Sequence, residues 1–152
     1  MDATEESRPR PRAVTYKTTA TWTDAHFGVL TADGKPPIHV SKPPEFKGEQ
    51  GLWSPEEMFV ASVEACHMAT FLTFAARKQI PILAYKSHSN GVLEYIDGDY
   101  RFTRIVIFPT ITVSKAAVEG MVHALLREAE KSCLVANSIA SIVEVNPTIV
   151  IE

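Results

Sequence analysis

The chain has little of what usually identifies a function from sequence alone. Its 152 residues include two cysteines and seven glycines, and the net charge is −3. No acidic or basic block interrupts the chain, so neither nucleic acid nor an anionic membrane surface is an expected partner. A glycine-rich phosphate loop, a Gly-x-Ser-x-Gly elbow and internal repeats are also missing. Candidate chemistry is therefore limited to a few cysteine, histidine and carboxylate side chains.

The N-terminus is polar and rich in proline, with Arg-Pro-Arg-Pro-Arg at residues 8–12. This composition predicts a mobile arm over residues 1–14, followed by a single domain over residues 15–152. No charged segment followed by an apolar run opens the chain, so no signal peptide is expected. Two cysteines without an export signal favour a cytoplasmic protein, where a dithiol is more often chemical than structural.

A helix is predicted over residues 55–78. Ser54 is a favourable N-cap, Pro55 suits the first helical position, and Glu57 completes a capping box. The apolar run over residues 58–76 is long enough to cross a membrane. Glu64 and other polar residues interrupt it, however, and charge inside a bilayer is costly. The sequence therefore predicts a buried helix and no membrane partner.

The remaining pattern predicts strands around a second helix. β-branched and aromatic residues indicate three early strands and a later hairpin, at residues 15–22, 27–31, 38–40, 85–95 and 100–113. Apolar residues spaced i, i+3, i+4 predict a second helix capped by Ser114, and residues 142–151 form a last strand. The order β-β-β-α-β-β-α-β, without strict alternation, favours the α+β class.

Each predicted helix carries one cysteine, Cys66 in the first and Cys133 near the end of the second. This is the pattern of a redox or nucleophilic site, and equally of two inert core thiols. Nucleophilic work requires a thiolate, yet Ser62 and Thr70, one turn away from Cys66, add no positive charge. Cys133 near a helix C-terminus would attack poorly, because the dipole disfavours a thiolate there, but could resolve a sulfenic acid. The residues alone leave both interpretations open.

Glu56 precedes Cys66 by ten residues, a rise of about 15 Å along a helix. The two cannot share a site within one straight helix. Either the site is built across two subunits, or Glu56 only favours the helix dipole from the first turn. Glu64 and His67, spaced i, i+3, could pair on one face. Because no further Cys or His cluster has ligand spacing, neither a metal nor a cofactor is predicted.

Two segments carry a family resemblance. Phe-Lys-Gly-Glu-Gln-Gly at residues 46–51, Ser-Pro-Glu-Glu at residues 54–57 and a cysteine ten residues after Glu56 resemble the OsmC/Ohr proteins. These are the osmotically inducible and organic-hydroperoxide-resistance proteins. Cys-Leu-Val-Ala-Asn-Ser at residues 133–138, before a last strand, resembles the family's second cysteine motif, and Ala-Thr-Trp at residues 20–22 fits its first strand. The resemblance extends from about residue 15 to the C-terminus.

The resemblance implies an intertwined homodimer with two central helices packed on β-sheets. It also implies a thiol peroxidase that needs no cofactor and acts on organic hydroperoxides. Cys66 resembles the peroxidatic cysteine and Cys133 the resolving one, with a disulfide between them that an external lipoyl-type or small dithiol reduces. Glu56 resembles the carboxylate that orients the family's activating arginine, in a site built across the dimer.

The chain departs from the family at that arginine, since residues 13–57 contain none. His26 and Lys17 are the predicted substitutes, with Lys35 or an arginine of residues 8–12 as other options. Histidine or lysine does not reproduce a bidentate arginine–carboxylate fork, so a weaker peroxidase is expected. Two alternatives stay open: an inactive or weakly active OsmC-like dimer that binds an apolar small molecule, and a thiol enzyme that transfers or removes a small group through Cys66.

Overall fold

The computed structural model describes residues 10–152, apart from the side chain of Ala117. Residues 1–9, most of the predicted arm, lie outside the described part. The described chain forms two compact units with their boundary after Pro55. The order of its helices and strands is β-β-β-α-β-β-α-β-β. The predicted α+β class is therefore confirmed, with one strand more than expected.

The first unit contains an antiparallel three-stranded sheet. Its strands follow in sequence order: β1 Thr19–Asp24, β2 Phe27–Thr31 and β3 Ile38–Ser41. The predicted start of β1 at residue 15 is wrong. Pairing ends where Thr19 faces Thr31, the last residue of β2, so the residues before Thr19 have no partner strand. Every residue of β1 is exposed, and the Trp22 side chain is 74% exposed.

The helix α1, Pro55–Arg77, agrees with its predicted bounds to within one residue. It ends in a Schellman-type turn, in which the Ile80 N–H donates to the Ala75 carbonyl at 2.9 Å and Gln79 takes a left-handed φ of 54°. One face is buried at i, i+4 spacing by Val63, His67, Phe71 and Ala75.

The opposite face of α1 is apolar and exposed. We call it the α1 stripe: Ala65, Met68, Ala69, Leu72 and Ala76. By length and composition alone α1 could cross a membrane, and 22% of its most apolar window is buried. The prediction of a buried helix therefore holds for one face of α1 in the single chain.

The second unit is built on a hairpin of β4 Ala84–Ile96 and β5 Asp99–Val113, crossed by α1 and by α2 Glu119–Ser132. The predicted last strand is instead two strands, β6 Ile142–Val145 and β7 Thr148–Ile151, both parallel to β5. Between them the Asn146 N–H still bonds the Ile107 carbonyl, whereas Pro147 has no N–H to donate, so the ladder breaks.

The predicted cap of α2 is wrong. Ser114 lies in a bend, and a short 3-10 turn, Ala116–Val118, precedes α2. The N-cap residue Val118 makes no side-chain capping bond. The helix is held by its apolar face instead, where Val122, Leu125, Leu126 and Ala129 are buried.

The core of the second unit lies between the sheet and the two helices. Ile105, Ile107, Ile111 and Val113 alternate along β5 and are fully buried. Ile111 and Val113 pack with Phe71 of α1 and with the buried face of α2. Ile105 and Ile107 pack with Val63 of α1. Packing against one sheet holds α1 and the end of α2, the segments that carry the two cysteines.

Candidate functional site

Cys66 lies in the middle of α1, between its buried face and the α1 stripe, and is half-buried. The hydroxyl groups one turn away do not serve its sulfur. Thr70 Oγ1 donates to the Cys66 carbonyl at 2.8 Å, and Ser62 Oγ donates to the Phe59 carbonyl at 2.8 Å. A hydroxyl has one hydrogen to donate, so stabilisation of a thiolate at Cys66 has to come from another element.

Cys133 is the C-cap residue of α2 and is 1% exposed. Burial raises the pKa of the Cys133 thiol to about 11, with a smaller contribution from Cys66 in the same direction. The main-chain N–H groups of Ala136 and Val135 donate to its sulfur and oppose this rise. Cys133 is therefore a protonated thiol at neutral pH, as its place at a helix C-terminus also favours.

The two cysteines are in contact. The Cys66 side chain lies near enough to Cys133 to raise the pKa of its thiol, and both are free thiols. The contact forms because the chain after Cys133 turns back onto α1, where Val135, Ala136 and Ile139 pack around Val63. A half-exposed thiol beside a buried one is an arrangement that can interconvert between a dithiol and a disulfide.

Glu56 lies in the first turn of α1, in the same unbroken helix as Cys66. The structure does not bring the two together within one chain, as the helical rise of about 15 Å requires. The Glu56 side chain is half-buried, and its Oε2 atom is buried without a hydrogen-bond partner. A buried carboxylate oxygen left unpaired is costly, which suits a group that receives its cation from outside its own helix.

The predicted cations belong to the first unit. Lys17 is exposed and precedes β1, and His26 is exposed in the turn between β1 and β2. The His26 ring lies against Phe27, with centroids 4.6 Å apart. Both residues border β1, and His26 lines an open groove of about 320 Å³ on the sheet together with Trp22 and Val40.

The predicted pairing of Glu64 with His67 does not form. Glu64 Oε1 accepts a hydrogen bond from Ser87 of β4 at 2.5 Å. His67 is 1% exposed, and neither ring nitrogen has a hydrogen-bond partner. Burial lowers the pKa of His67 below its ordinary value of 6.5, so the imidazole is neutral in the core.

Replacing His67 with phenylalanine is expected to reduce the loss of stability in acid. Below pH 6.5 the unfolded chain takes up a proton that folded His67 refuses, so the free energy of unfolding falls as pH falls. Between about pH 7.5 and pH 5.5, His67 should lower the free energy of unfolding by up to about 1.4 kcal/mol. Urea unfolding of both proteins at the two pH values measures the difference.

The matched control is His39→Gln, because His39 is exposed on β3. This variant should keep the pH dependence of the native protein. If His67→Phe also keeps it, the acid sensitivity belongs to other groups, and His67 is not the neutral core residue described above.

The amides of Val135 and Ala136 were not predicted as part of the site. Any residue except proline offers a main-chain N–H, so such donors leave no residue-type signal in a sequence. Their placement follows from the turn after Cys133, where the Asn137 N–H donates to the Cys133 carbonyl at 3.0 Å. Across residues 10–152, no three His, Cys, Asp or Glu side chains come together as a metal ligand set.

The chain is similar to several known proteins. An OsmC-like protein of unknown function from Vibrio cholerae superimposes with a TM-score of 0.80 at 23% identity, covering 89% of this chain and 99% of that one. An organic hydroperoxide resistance protein OsmC from Legionella pneumophila gives 0.73 at 21% identity, with 93% and 100% covered. The uncharacterized protein YmaD of Bacillus subtilis is 23% identical over 108 residues, 69% of this chain and 72% of that protein.

The family evidence covers both cysteines. The model of the OsmC-like protein family matches residues 48–148, well over half of the chain and the whole interval from Glu56 to Cys133. The fold of the solved relatives, with two helices and β-sheets, agrees with that match. The chain belongs to the OsmC-like protein family.

Proposed function

We propose that this protein is a cysteine-based thiol peroxidase that reduces organic hydroperoxides. The observation that carries the proposal is the contact between the half-exposed Cys66 and the buried Cys133. Its membership of a family that includes a protein named for organic hydroperoxide resistance supports the substrate class. The chemistry requires reduced thiols at the start of each cycle, so we also propose a cytoplasmic location.

The reaction uses two sulfur atoms in turn. The Cys66 thiolate attacks the distal oxygen of the hydroperoxide, the O–O bond breaks, and the alkoxide leaves as an alcohol after taking a proton. Cys66 is then a sulfenic acid. The Cys133 sulfur attacks the Cys66 sulfur, a disulfide forms, and the hydroxyl group leaves as water with the proton of Cys133. An external dithiol of the lipoyl or small-molecule class reduces the disulfide and is itself oxidised.

We infer that a second copy of the chain covers the α1 stripe. The stripe is apolar, yet Met68 remains 38% exposed and Leu72 37% exposed. A membrane is a poor occupant, because α1 presents half-buried Glu64 to Ser87 and buried His67 to the core. In a dimer with twofold symmetry, the α1 stripe of one copy would pack against the α1 stripe of the other. The two α1 helices would then lie at the centre of the dimer.

The dimer also gives Glu56 a role. We propose that Glu56 of one copy holds a cation beside Cys66 of the other, since the helix keeps them apart within one chain. His26 and Lys17 stay the leading candidates for that cation, with Lys35 and the arginines of residues 8–12 behind them. A single-point cation would hold the thiolate less firmly than an arginine fork, so modest activity is expected.

The decisive test is the initial rate of cumene hydroperoxide consumption with a dithiol reductant. Native protein should turn over, and Cys66→Ser should lose essentially all of the rate, about a thousandfold or more, because a serine hydroxyl does not ionise near neutral pH. Cys133→Ser is the matched control, because it keeps the attacking thiol and should still complete one turnover.

Two results would contradict the proposal. A native rate unchanged by Cys66→Ser would place the chemistry elsewhere. A negligible rate in the native protein would leave an OsmC-like dimer that binds an apolar molecule, or a thiol enzyme with another substrate. Mass spectrometry of Cys66 after exposure to candidate electrophiles separates those two alternatives, because only a reactive thiol would be modified.

A further inference from the structure

A polar level of α1 interrupts the core of the second unit. The buried apolar residues form two clusters, one that includes Phe71 and one that includes Val63. His67 lies midway between these two residues, one helical turn from each, and is 1% exposed. The boundary between the two apolar clusters is therefore polar on the side of α1.

Strand β4 contributes polar side chains to the same level. Tyr85, Ser87 and Ser89 alternate along the strand, so they form a polar row on one face of the sheet. Two contacts identify this face as the one that packs on α1. Glu64 accepts a hydrogen bond from Ser87, and the ring centroids of Phe71 and Tyr85 are 5.8 Å apart.

Several hydrogen-bonding atoms at this level are buried without partners. His67 lies between Glu64 and Phe71 along α1, and so above the polar row. Within residues 10–152, no hydrogen-bond partner is found for either ring nitrogen of His67, for Tyr85 Oη or for Ser89 Oγ, and all four atoms are buried. An unpaired buried donor or acceptor costs free energy, and native proteins usually satisfy such groups with protein atoms or ordered water.

We propose that this level is a binding site for internal water, with His67, Tyr85 and Ser89 as the residues that hold it. Water both donates and accepts hydrogen bonds, and a buried water molecule usually makes about three. A neutral imidazole offers one donor and one acceptor, and a hydroxyl group can act as either. Water therefore matches every unpaired atom of the site, whichever ring nitrogen of His67 carries the hydrogen.

The charge at this level favours a neutral ligand. Burial lowers the pKa of His67, so the imidazole is uncharged at neutral pH. Burial also raises the pKa of Tyr85, and a smaller contribution from Glu64 acts in the same direction, so the phenol keeps its hydrogen. A metal ion would need more ligands, and no three His, Cys, Asp or Glu side chains meet within residues 10–152.

Bound water at this level would fix the register of α1 on the sheet. Sliding α1 by one turn would carry His67 into one of the two apolar clusters, away from the hydroxyl groups of β4. A satisfied buried polar group thus selects one packing of the helix. The water site concerns the core alone, so it would be present whether or not Cys66 reacts with peroxide.

Oxygen-17 relaxation dispersion of the solvent tests the proposal, because its amplitude counts long-lived internal water molecules. Native protein and His67→Phe are compared at several temperatures, so that the residence time of the water enters the observable range. The amplitude per chain should fall by at least one water molecule in His67→Phe, because a phenyl ring fills the site without bonding water. The control is Ser141→Ala, because the Ser141 hydroxyl already donates to the Phe102 carbonyl at 2.8 Å. An amplitude unchanged in His67→Phe, or reduced equally in the control, would overturn the proposal.

A second measurement does not require His67→Phe to fold. Removing an unpaired buried hydroxyl relieves its desolvation cost and stabilises a protein, whereas removing a bonded one destabilises it. Ser141→Ala loses a hydrogen bond within the protein and sets the reference. Ser89→Ala should lower the urea midpoint in the same direction, as measured by circular dichroism. An unchanged or raised midpoint in Ser89→Ala would show that its hydroxyl holds no water and would defeat the proposal.

Discussion

Mixing Cys66→Ser protein with Glu56→Gln protein is expected to produce a peroxidase from two nearly inactive parents. In the proposed dimer, each parent lacks one essential group in both of its sites. A mixed dimer has one site with both groups intact, if Glu56 of one copy serves Cys66 of the other. Random pairing makes half of the dimers mixed, with one working site in two, so about a quarter of the native rate should return.

The physical reason is the straightness of α1. Pro55–Arg77 is one unbroken helix, so the distance of about 15 Å between the Glu56 and Cys66 positions cannot be closed within a chain. The unpaired, buried Oε2 atom of Glu56 indicates that this carboxylate is arranged for a partner not supplied by its own helix. The measurement is cumene hydroperoxide consumption after the two variants are refolded together.

A charge in the α1 stripe provides the control. Leu72→Glu carried on both parents should prevent pairing, because burying an unpaired carboxylate is costly. On a sizing column, such a protein should elute at the position of a single chain of 16.8 kDa. Mixing the two parents should then restore no activity. Met121→Glu adds the same charge at a 51% exposed position of α2 and should leave recovery intact. No recovery from dimers shown to be mixed would mean that Glu56 does not act across the interface.

Gly48→Ala is expected to destabilise the first unit by about 3 kcal/mol or more. A Cβ atom at Gly48 would lie 1.5 Å from the Lys42 carbonyl oxygen and 2.9 Å from that of Pro43. These are main-chain atoms, so no side-chain rotation relieves the clash. The same loop is closed by the Gly48 N–H, which donates to the Pro43 carbonyl at 3.0 Å.

Tryptophan fluorescence during urea unfolding measures this change directly. The protein has two tryptophans, Trp22 and Trp53, and both belong to the first unit. The matched control is Gly120→Ala in α2, where a Cβ meets nothing within 4 Å and helix propensity should keep stability unchanged or raise it by up to about 1 kcal/mol. A Gly48→Ala protein with the native fluorescence midpoint would contradict the close packing of this loop.

Local chemistry explains which elements could be predicted. Pro55 and the acidic residues at the start of α1 act within one turn, and the helix lies within one residue of its predicted bounds. The cap predicted at Ser114 failed because α2 is held by its apolar face against β5, a long-range contact. The break between β6 and β7 was not predicted for a related reason, since the hydrogen-bond ladder depends on the register of both strands with β5.

By itself, the sequence determined the α+β class, the two helices, the positions of both cysteines and the family. These depend on short-range periodicity and on motif spacing, which are properties of neighbouring residues. Only the tertiary structure decided that Cys66 and Cys133 touch, that Glu64 bonds Ser87 in place of His67, and that two amides donate to Cys133. Those contacts join residues distant in the chain or use main-chain atoms common to every residue, so their geometry exists only once the core has packed.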